Sequence, residues 1–489
     1  MNVPIRRVAI VMLAMFLVLM AATTWIQYVQ ASSLNNDPRN VRTLYREYGN
    51  NRGSIVVGGE EIALSTPVED VFGYQRSYTN GELYAPLTGY YSVVYGRSAL
   101  ERSANGYLNG SSDSLWWSRV QNLISGEDPQ GSSVELTIDP AAQQAAWDAL
   151  GNQRGAVVAL DPATGAVLAM VSKPSYDPNL LAGHTSADVT DAWNTLQSDE
   201  GDPLVNRAIA GNTYPPGSTF KLVTAAAALE NGTVDADTLI DAPDQLQLPQ
   251  SSSVLRNFGG STCSGSGTMT LADALRISCN TAFGQLGIDV GDDALAEQAE
   301  KFGFGSELSI PMRVTPSRFP TGPEGKGLDG AQTALSSIGQ FEVAVTPLQM
   351  AMVSAAIAND GELMTPYLIQ QVRTPDLDVA FEASPSEFST PISSETATAL
   401  SEMMVGVVRD GTGTAAQISG VQVAGKTGTA ENREDAPPHA WFTGFAPADD
   451  PQVVVAVVIE NGGDAGSEAT GGRLAAPIAR SVMEAVVSR

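Results

Sequence analysis

From Val8 to Ile26 the chain is almost wholly apolar, with Arg6 and Arg7 just before the run and Trp25 and Tyr28 near its far end. Such a run is about long enough for a helix to cross a bilayer, where every backbone polar group has to be satisfied within the segment. The basic pair is expected in the cytoplasm and the aromatic residues at the opposite interface, so everything after about residue 30 lies outside. A cleaved secretory signal is the alternative, because Val29-Gln30-Ala31 resembles a cleavage site. The apolar core exceeds the roughly 7 to 15 residues of a signal core, which favours an anchor. Both readings export the chain. The expected division is a cytoplasmic tail over 1–7 and a transmembrane anchor over 8–28.

Residues 29–131 mix short strand-like runs such as Ser54-Ile55-Val56-Val57 with aromatic, Gly- and Asn-rich turns, the pattern of a small irregular α/β module. Its end is marked by the breaker-rich stretch Ser125-Gly126-Glu127-Asp128-Pro129-Gln130-Gly131-Ser132, which reads as a linker. Beyond it, Val134 to Ile138 alternates like a strand, and Pro140 to Leu150 is an Ala-rich helix with Asp139 as N-cap and Pro140 in its first turn. Gly155–Leu160 and Ala166–Val171 are apolar runs joined by Asp161-Pro162-Ala163-Thr164-Gly165, a hairpin. Helical spacing then dominates, over Phe220–Leu229, Leu271–Leu275, Leu348–Ile357 and Glu395–Val408. Val421–Lys426, Ala440–Phe445 and Val453–Ile459 read as late strands, and Leu474–Val487 as a closing helix. Strands early and late with helices between them predict an α+β domain over 132–489, built on one mainly antiparallel sheet with helices on its faces.

Composition narrows the function. With 489 residues, 43% hydrophobic and 17% charged, the chain has core to bury and more than one module. A net charge of -27 and no Lys/Arg-rich segment exclude nucleic acid as a partner. The two cysteines, Cys263 and Cys279, either pair in an exported domain or stay as two buried thiols. Together with the distant His184 and His439 they match no metal-site spacing, so neither metal nor cofactor is expected.

Three short motifs carry chemistry. In Pro215-Pro216-Gly217-Ser218-Thr219-Phe220-Lys221 a breaker-rich loop ends on a serine where the pattern becomes helical. Lys221, one turn later, comes round to the same face, so its amine is expected within hydrogen-bond reach of Ser218. A serine needs a base to become a nucleophile, and burial or a neighbouring cation makes a lysine neutral enough to be one. In Ser278-Cys279-Asn280 a hydroxyl suited to proton relay stands beside an amide suited to holding a peptide carbonyl. Lys426-Thr427-Gly428-Thr429, on the strand from Val421, offers a cation and hydroxyls for a carboxylate and, at Gly428, room for a substrate backbone.

Ser-x-x-Lys, Ser-x-Asn and Lys-Thr-Gly in this order resemble the signature of penicillin-binding proteins and class A β-lactamases. The likeness to class B penicillin-binding proteins extends to Arg52-Gly53-Ser54-Ile55, Leu136-Thr137-Ile138-Asp139, Ala159 to Gly165, Asn206-Arg207-Ala208, Gly339-Gln340 and Thr346-Pro347-Leu348-Gln349. It is strongest to the compact penicillin-binding protein A type of actinobacteria. The resemblance implies the transpeptidase fold, an antiparallel sheet with helices on both faces and a helical subdomain, behind a pedestal or dimerisation-like module. It also implies a monofunctional peptidoglycan D,D-transpeptidase, acylated and inhibited by β-lactams, that works beside a separate glycosyltransferase and other wall-synthesis or division partners. By position, Ser218 is the residue acylated by a stem peptide and Lys221 its base, while Ser278 and Lys426 return a proton to the leaving D-Ala. Asn280, Thr427, Gly428 and Thr429 bind substrate, and the backbone N–H groups of Ser218 and Thr429 form the oxyanion hole. A Cys263–Cys279 disulfide would brace the Ser278 loop.

A β-lactamase is a rival, but no Glu-x-x-Leu-Asn follows Ser278-Cys279-Asn280, and class D enzymes usually have valine at the position of Asn280. A D,D-carboxypeptidase shares the motifs, with water in place of the acceptor amine. The non-enzymatic alternative is a penicillin-binding sensor or scaffold.

Overall fold

The computed structural model describes residues 3–30, 48–112, 130–211, 213–322, 326–432 and 436–488. Its central sheet has five antiparallel strands in the order Ala424–Ala430, His439–Ala446, Val453–Ile459, Gly155–Leu160 and Val167–Lys173. Early and late segments meet where Val454–Ile459 pairs with Gly155–Leu160. Alternate residues point to opposite faces. Val157, Ala159, Val455 and Val457 pack with Ala142, Ala146, Ala475 and Ala479 of the helices Pro140–Leu150 and Gly471–Val487. Ala156, Val158, Val454 and Ala456 join the larger core that includes Met350 and Val353 of the helix Pro347–Ala358. Because both faces are covered, these strands read as unbroken apolar runs rather than as alternation.

Local chemistry sets several of these boundaries. Asp139 Oδ1 accepts from Ala142 N at 2.8 Å, the expected cap, and Thr346 caps Pro347–Ala358 in the same way. The strand expected from Val421 instead begins at Ala424 and runs through Gly428 and Thr429, which stay in register with Trp441 and Ala440. It is an edge strand, and among the described residues no strand pairs with its second side. The helix expected from Phe220 begins at Lys221, after a 3₁₀ turn over Gly217–Phe220.

A second sheet takes strands from both sides of residue 131. Its order is Val379–Glu382, Ile369–Arg373, Ser133–Leu136, Ile55–Val57, Glu60–Pro67 and Tyr74–Tyr78. Ser133–Leu136 pairs in parallel with Ile55–Val57 and antiparallel with Ile369–Arg373, so the two modules are joined through hydrogen-bonded strands. Residues 125–129 of the expected linker lie outside the described residues. Gly131 and Ser132 are not free linker, since their N–H groups donate to Asn51 O and Tyr107 O at 2.9 Å each. Inside this module Arg52 Nε and Arg76 Nε each donate to Glu101 at 2.6 Å, all three side chains being buried. At the N-terminus, the helix Val3–Thr24 continues as a single π turn over Trp25–Val29, and the 27 residues Val3–Val29 are long and apolar enough to cross a membrane.

Candidate active site

The serine turn is held on three sides. Tyr214 N donates to Val345 O at 2.9 Å and Val345 N to Tyr214 O at 2.8 Å, which fixes the chain just before Pro215 and Pro216. Gly217 has φ 53°, and its N–H donates to Gly339 O at 2.9 Å. A Cβ at Gly217 would stand 2.7 Å from Thr429 O, and one at Gly339 would stand 2.1 Å from Gly217 O. Glycine is needed at both positions, because the turn is wedged against the edge strand. Ser218 follows, partly exposed in the 3₁₀ turn.

Two fully buried lysines converge on Ser278. Lys221 Nζ donates to Ser278 O at 2.8 Å, to Asn280 Oδ1 at 2.8 Å and to Ser278 Oγ at 3.4 Å. Lys426 Nζ donates to Ser278 Oγ at 2.8 Å and to Thr427 O at 3.0 Å. The Lys221–Ser218 hydrogen bond expected from the one-turn spacing is absent from the described contacts; the amine turns instead to the Ser278 carbonyl and the Asn280 amide, which are better acceptors. Burial, and then the neighbouring Lys426, push the Lys221 amine well below the ordinary lysine range. Burial lowers Lys426 to about 7.

Ser278 stands between the helices Leu271–Arg276 and Asn280–Val290 with φ 61°, a left-handed conformation uncommon outside glycine. Cys279 beside it is bonded to Cys263. Asn280 Nδ2 donates to Arg256 O at 3.2 Å, so both ends of its amide are engaged.

On the edge strand, Thr427 O accepts from Lys426 and therefore faces the unpaired side. Strand alternation turns the backbone groups of Thr429 the same way, in line with the closeness of Thr429 O to Gly217. The Thr427 and Thr412 hydroxyls are 2.6 Å apart. Gly428, expected to give room for a substrate backbone, also has a structural reason: a Cβ there would come within 2.9 Å of Pro216 O. Among the described residues no group of three His, Cys, Asp or Glu could hold a metal ion.

Sequence reasoning missed Asn257 and Thr412. Buried Asn257 accepts from Asn280 N at 2.9 Å and Thr281 N at 3.1 Å, capping the helix that begins with Asn280 from a separate loop. A cap supplied from so far away carries no periodic signal. Thr412, just after the helix Ser394–Asp410, likewise carries no signal linking it to Thr427.

This arrangement has counterparts. Residues 155–484 match the penicillin binding protein transpeptidase domain, and residues 52–134 the penicillin binding protein A dimerisation domain. The chain is 46% identical to the peptidoglycan D,D-transpeptidase PbpA of Mycolicibacterium smegmatis, over 100% of this chain and 99% of that protein. It is similar to penicillin-binding protein A from M. tuberculosis as its ceftriaxone acyl-enzyme complex, with 44% identity, a TM-score of 0.86, and 91% of this chain and 100% of that one covered. The penicillin G acyl-enzyme complex of the same protein matches with a TM-score of 0.83 and 45% identity, over 89% of this chain and 99% of that one. The chain therefore belongs to the class B penicillin-binding protein transpeptidases.

Proposed function

We propose that this chain is a peptidoglycan D,D-transpeptidase that cross-links stem peptides through an acyl-enzyme on Ser218 and is inhibited by β-lactams acylating the same oxygen. The observation that carries the reading is the meeting of two buried amines, Lys221 and Lys426, on Ser278, beside the serine turn and the unpaired strand edge. Neutral Lys221 takes the Ser218 proton as Oγ bonds to the carbonyl carbon of the penultimate D-Ala. The oxyanion develops against the N–H groups of Ser218 and Thr429. As the peptide C–N bond breaks, the proton passes through Ser278, with Lys426 behind it, to the departing D-Ala amine. The acceptor amine of a neighbouring strand then attacks the ester and frees Ser218. Asn280 orients the donor peptide, and Thr427 with Thr429, next to Gly428, receives its carboxylate.

The N-terminal helix anchors the chain in the plasma membrane as a single-pass protein, with the catalytic domain outside the cytoplasm. The tail 1–7, anchor 8–28, pedestal 29–131 and transpeptidase domain 132–489 remain the working division, with the shared sheet as the join. Glycan polymerisation falls to a separate glycosyltransferase partner.

The deciding experiment is intact-protein mass spectrometry with a labelled penicillin, followed by peptide mapping. One long-lived adduct per chain, on the peptide holding Ser218, is expected. Label on any other residue would sink the assignment, and release within seconds would indicate a β-lactamase. A second expectation concerns Gly217→Ala. The added methyl meets the Thr429 carbonyl at a left-handed φ, so the variant should acylate about 10- to 100-fold more slowly, by gel labelling with fluorescent penicillin, because small displacements of a nucleophile cost rates of this order. Labelling at the wild-type rate would show that the wedge does not set the serine position.

A further inference from the structure

The strand Val453–Ile459 is followed directly by a carboxylate that the acylation steps do not use. Glu460 is 7% exposed, and its Oε1 accepts from Arg207 Nε at 2.9 Å and from the Tyr214 hydroxyl at 2.6 Å. Arg154 pairs with the other oxygen. Arg207 is 2% exposed, and its remaining nitrogens donate to carbonyls of the 201–205 loop. A buried ion pair is a weak source of stability, because desolvation offsets most of the attraction. What this one supplies is direction, through short charge-assisted bonds to a single oxygen.

Tyr214 stands four residues before Ser218. Its ring meets those of His439 and Trp441 edge-on, at 5.5 and 6.2 Å between centroids, and Trp441 Nε1 donates to Pro215 O at 3.1 Å. Between Tyr214 and Ser218 come two prolines with fixed φ and Gly217, which is pinned by Gly339. The two fixed φ angles and the Gly217 anchor stiffen this path, so a shift of Tyr214 passes along the chain to Ser218. Burial, and then Glu460, raise the Tyr214 hydroxyl far above its ordinary range, which keeps it a donor at any working pH.

We propose that Tyr214 and Glu460 are positioning residues for acylation: the bond between them, braced by Arg207, sets where Ser218 Oγ lies against the Thr429 edge. The inference rests on reading Ser218 as the nucleophile. It is tested by stopped-flow acylation with a chromogenic β-lactam, separating the dissociation constant of the non-covalent complex from the acylation rate constant, together with thermal melts. Tyr214→Phe keeps the ring and loses the bond; its acylation rate constant should fall about tenfold or more with the dissociation constant unchanged, as expected of a misplaced nucleophile. Arg154→Gln removes the partner of the other Glu460 oxygen and should lower the melting temperature while acylating at the wild-type rate. Should Tyr214→Phe not fold, Glu460→Gln weakens the same bond and is expected to shift the rate constant in the same direction. Wild-type acylation by Tyr214→Phe, or losses in both variants that track their melting temperatures, would overturn the proposal. A wild-type chain that forms no adduct on Ser218 would instead overturn the reading beneath it.

Discussion

Lys221→Met is expected to leave the chain folded and to slow β-lactam acylation of Ser218 by about 10²- to 10⁴-fold, the usual contribution of a general base. Methionine follows the lysine stem and keeps the packing near Phe283. It leaves the Ser278 carbonyl and the Asn280 amide oxygen without their donor, a cost of about 1–3 kcal/mol each at most. Rate constants and melting curves on the same preparation separate the two effects, and a folded variant that acylates at the wild-type rate would remove Lys221 from the mechanism.

The pH dependence gives a second arm. The proposed base Lys221 can act only when neutral, and burial together with Lys426 lowers its pKa, so the acylation rate should rise with pH and level off well below the ~10.4 of a free lysine. Lys426, at about 7 through burial, keeps its positive charge only on the acid side of that value. Removing this cation in Lys426→Met takes away a cause of the depression, so the rising limb should move to higher pH. A limb that stays in place would mean that some other group titrates there.

Much of the candidate site was legible because the residue types proposed to carry its chemistry fall within one turn or one strand. Ser218 and Lys221 stand together at a break between prolines and a helix, Ser278 and Asn280 at a break between two helices, and Lys426 on an apolar run. The central strands were equally legible: burial on both faces leaves Gly155–Leu160 and Val453–Ile459 without a polar interruption. Pairings between distant segments left no trace in the sequence. Nothing near Ser133–Leu136 shows that it joins Ile55–Val57 to Ile369–Arg373, because a strand pattern fixes a face and not a neighbour. The same holds for Tyr214 and Glu460, and for Asn257 as a cap. Lys221 was expected to reach Ser218 one turn back, whereas its described acceptors come from a loop more than fifty residues away.

Glu101→Ala is expected to destabilise the chain by about 3–5 kcal/mol, the cost of removing one partner from a buried ion pair. Arg52 and Arg76 are 4% and 3% exposed, and Glu101 is the carboxylate that neutralises both. Arg52 also donates to Asn105 Oδ1 and Arg76 to Gly53 O, so neither guanidinium can swing out to water without breaking further bonds. The carboxylate is caught between opposed effects: burial pushes its pKa up, Arg76 and then Arg52 pull it down, and the two cations prevail. A carboxylate with a depressed folded-state pKa contributes its stability in full above the unfolded value of about 4.3 and loses it as pH falls through the folded value. The variant should therefore melt lower at neutral pH, with the gap to wild type narrowing below about pH 4. Because Ser218 and the lysines belong to the other sheet and its helices, acylation well below the melting transition should persist. Urea titrations at two pH values, read beside penicillin labelling, check both halves; an Ala variant as stable as wild type at neutral pH would show that water reaches the two arginines.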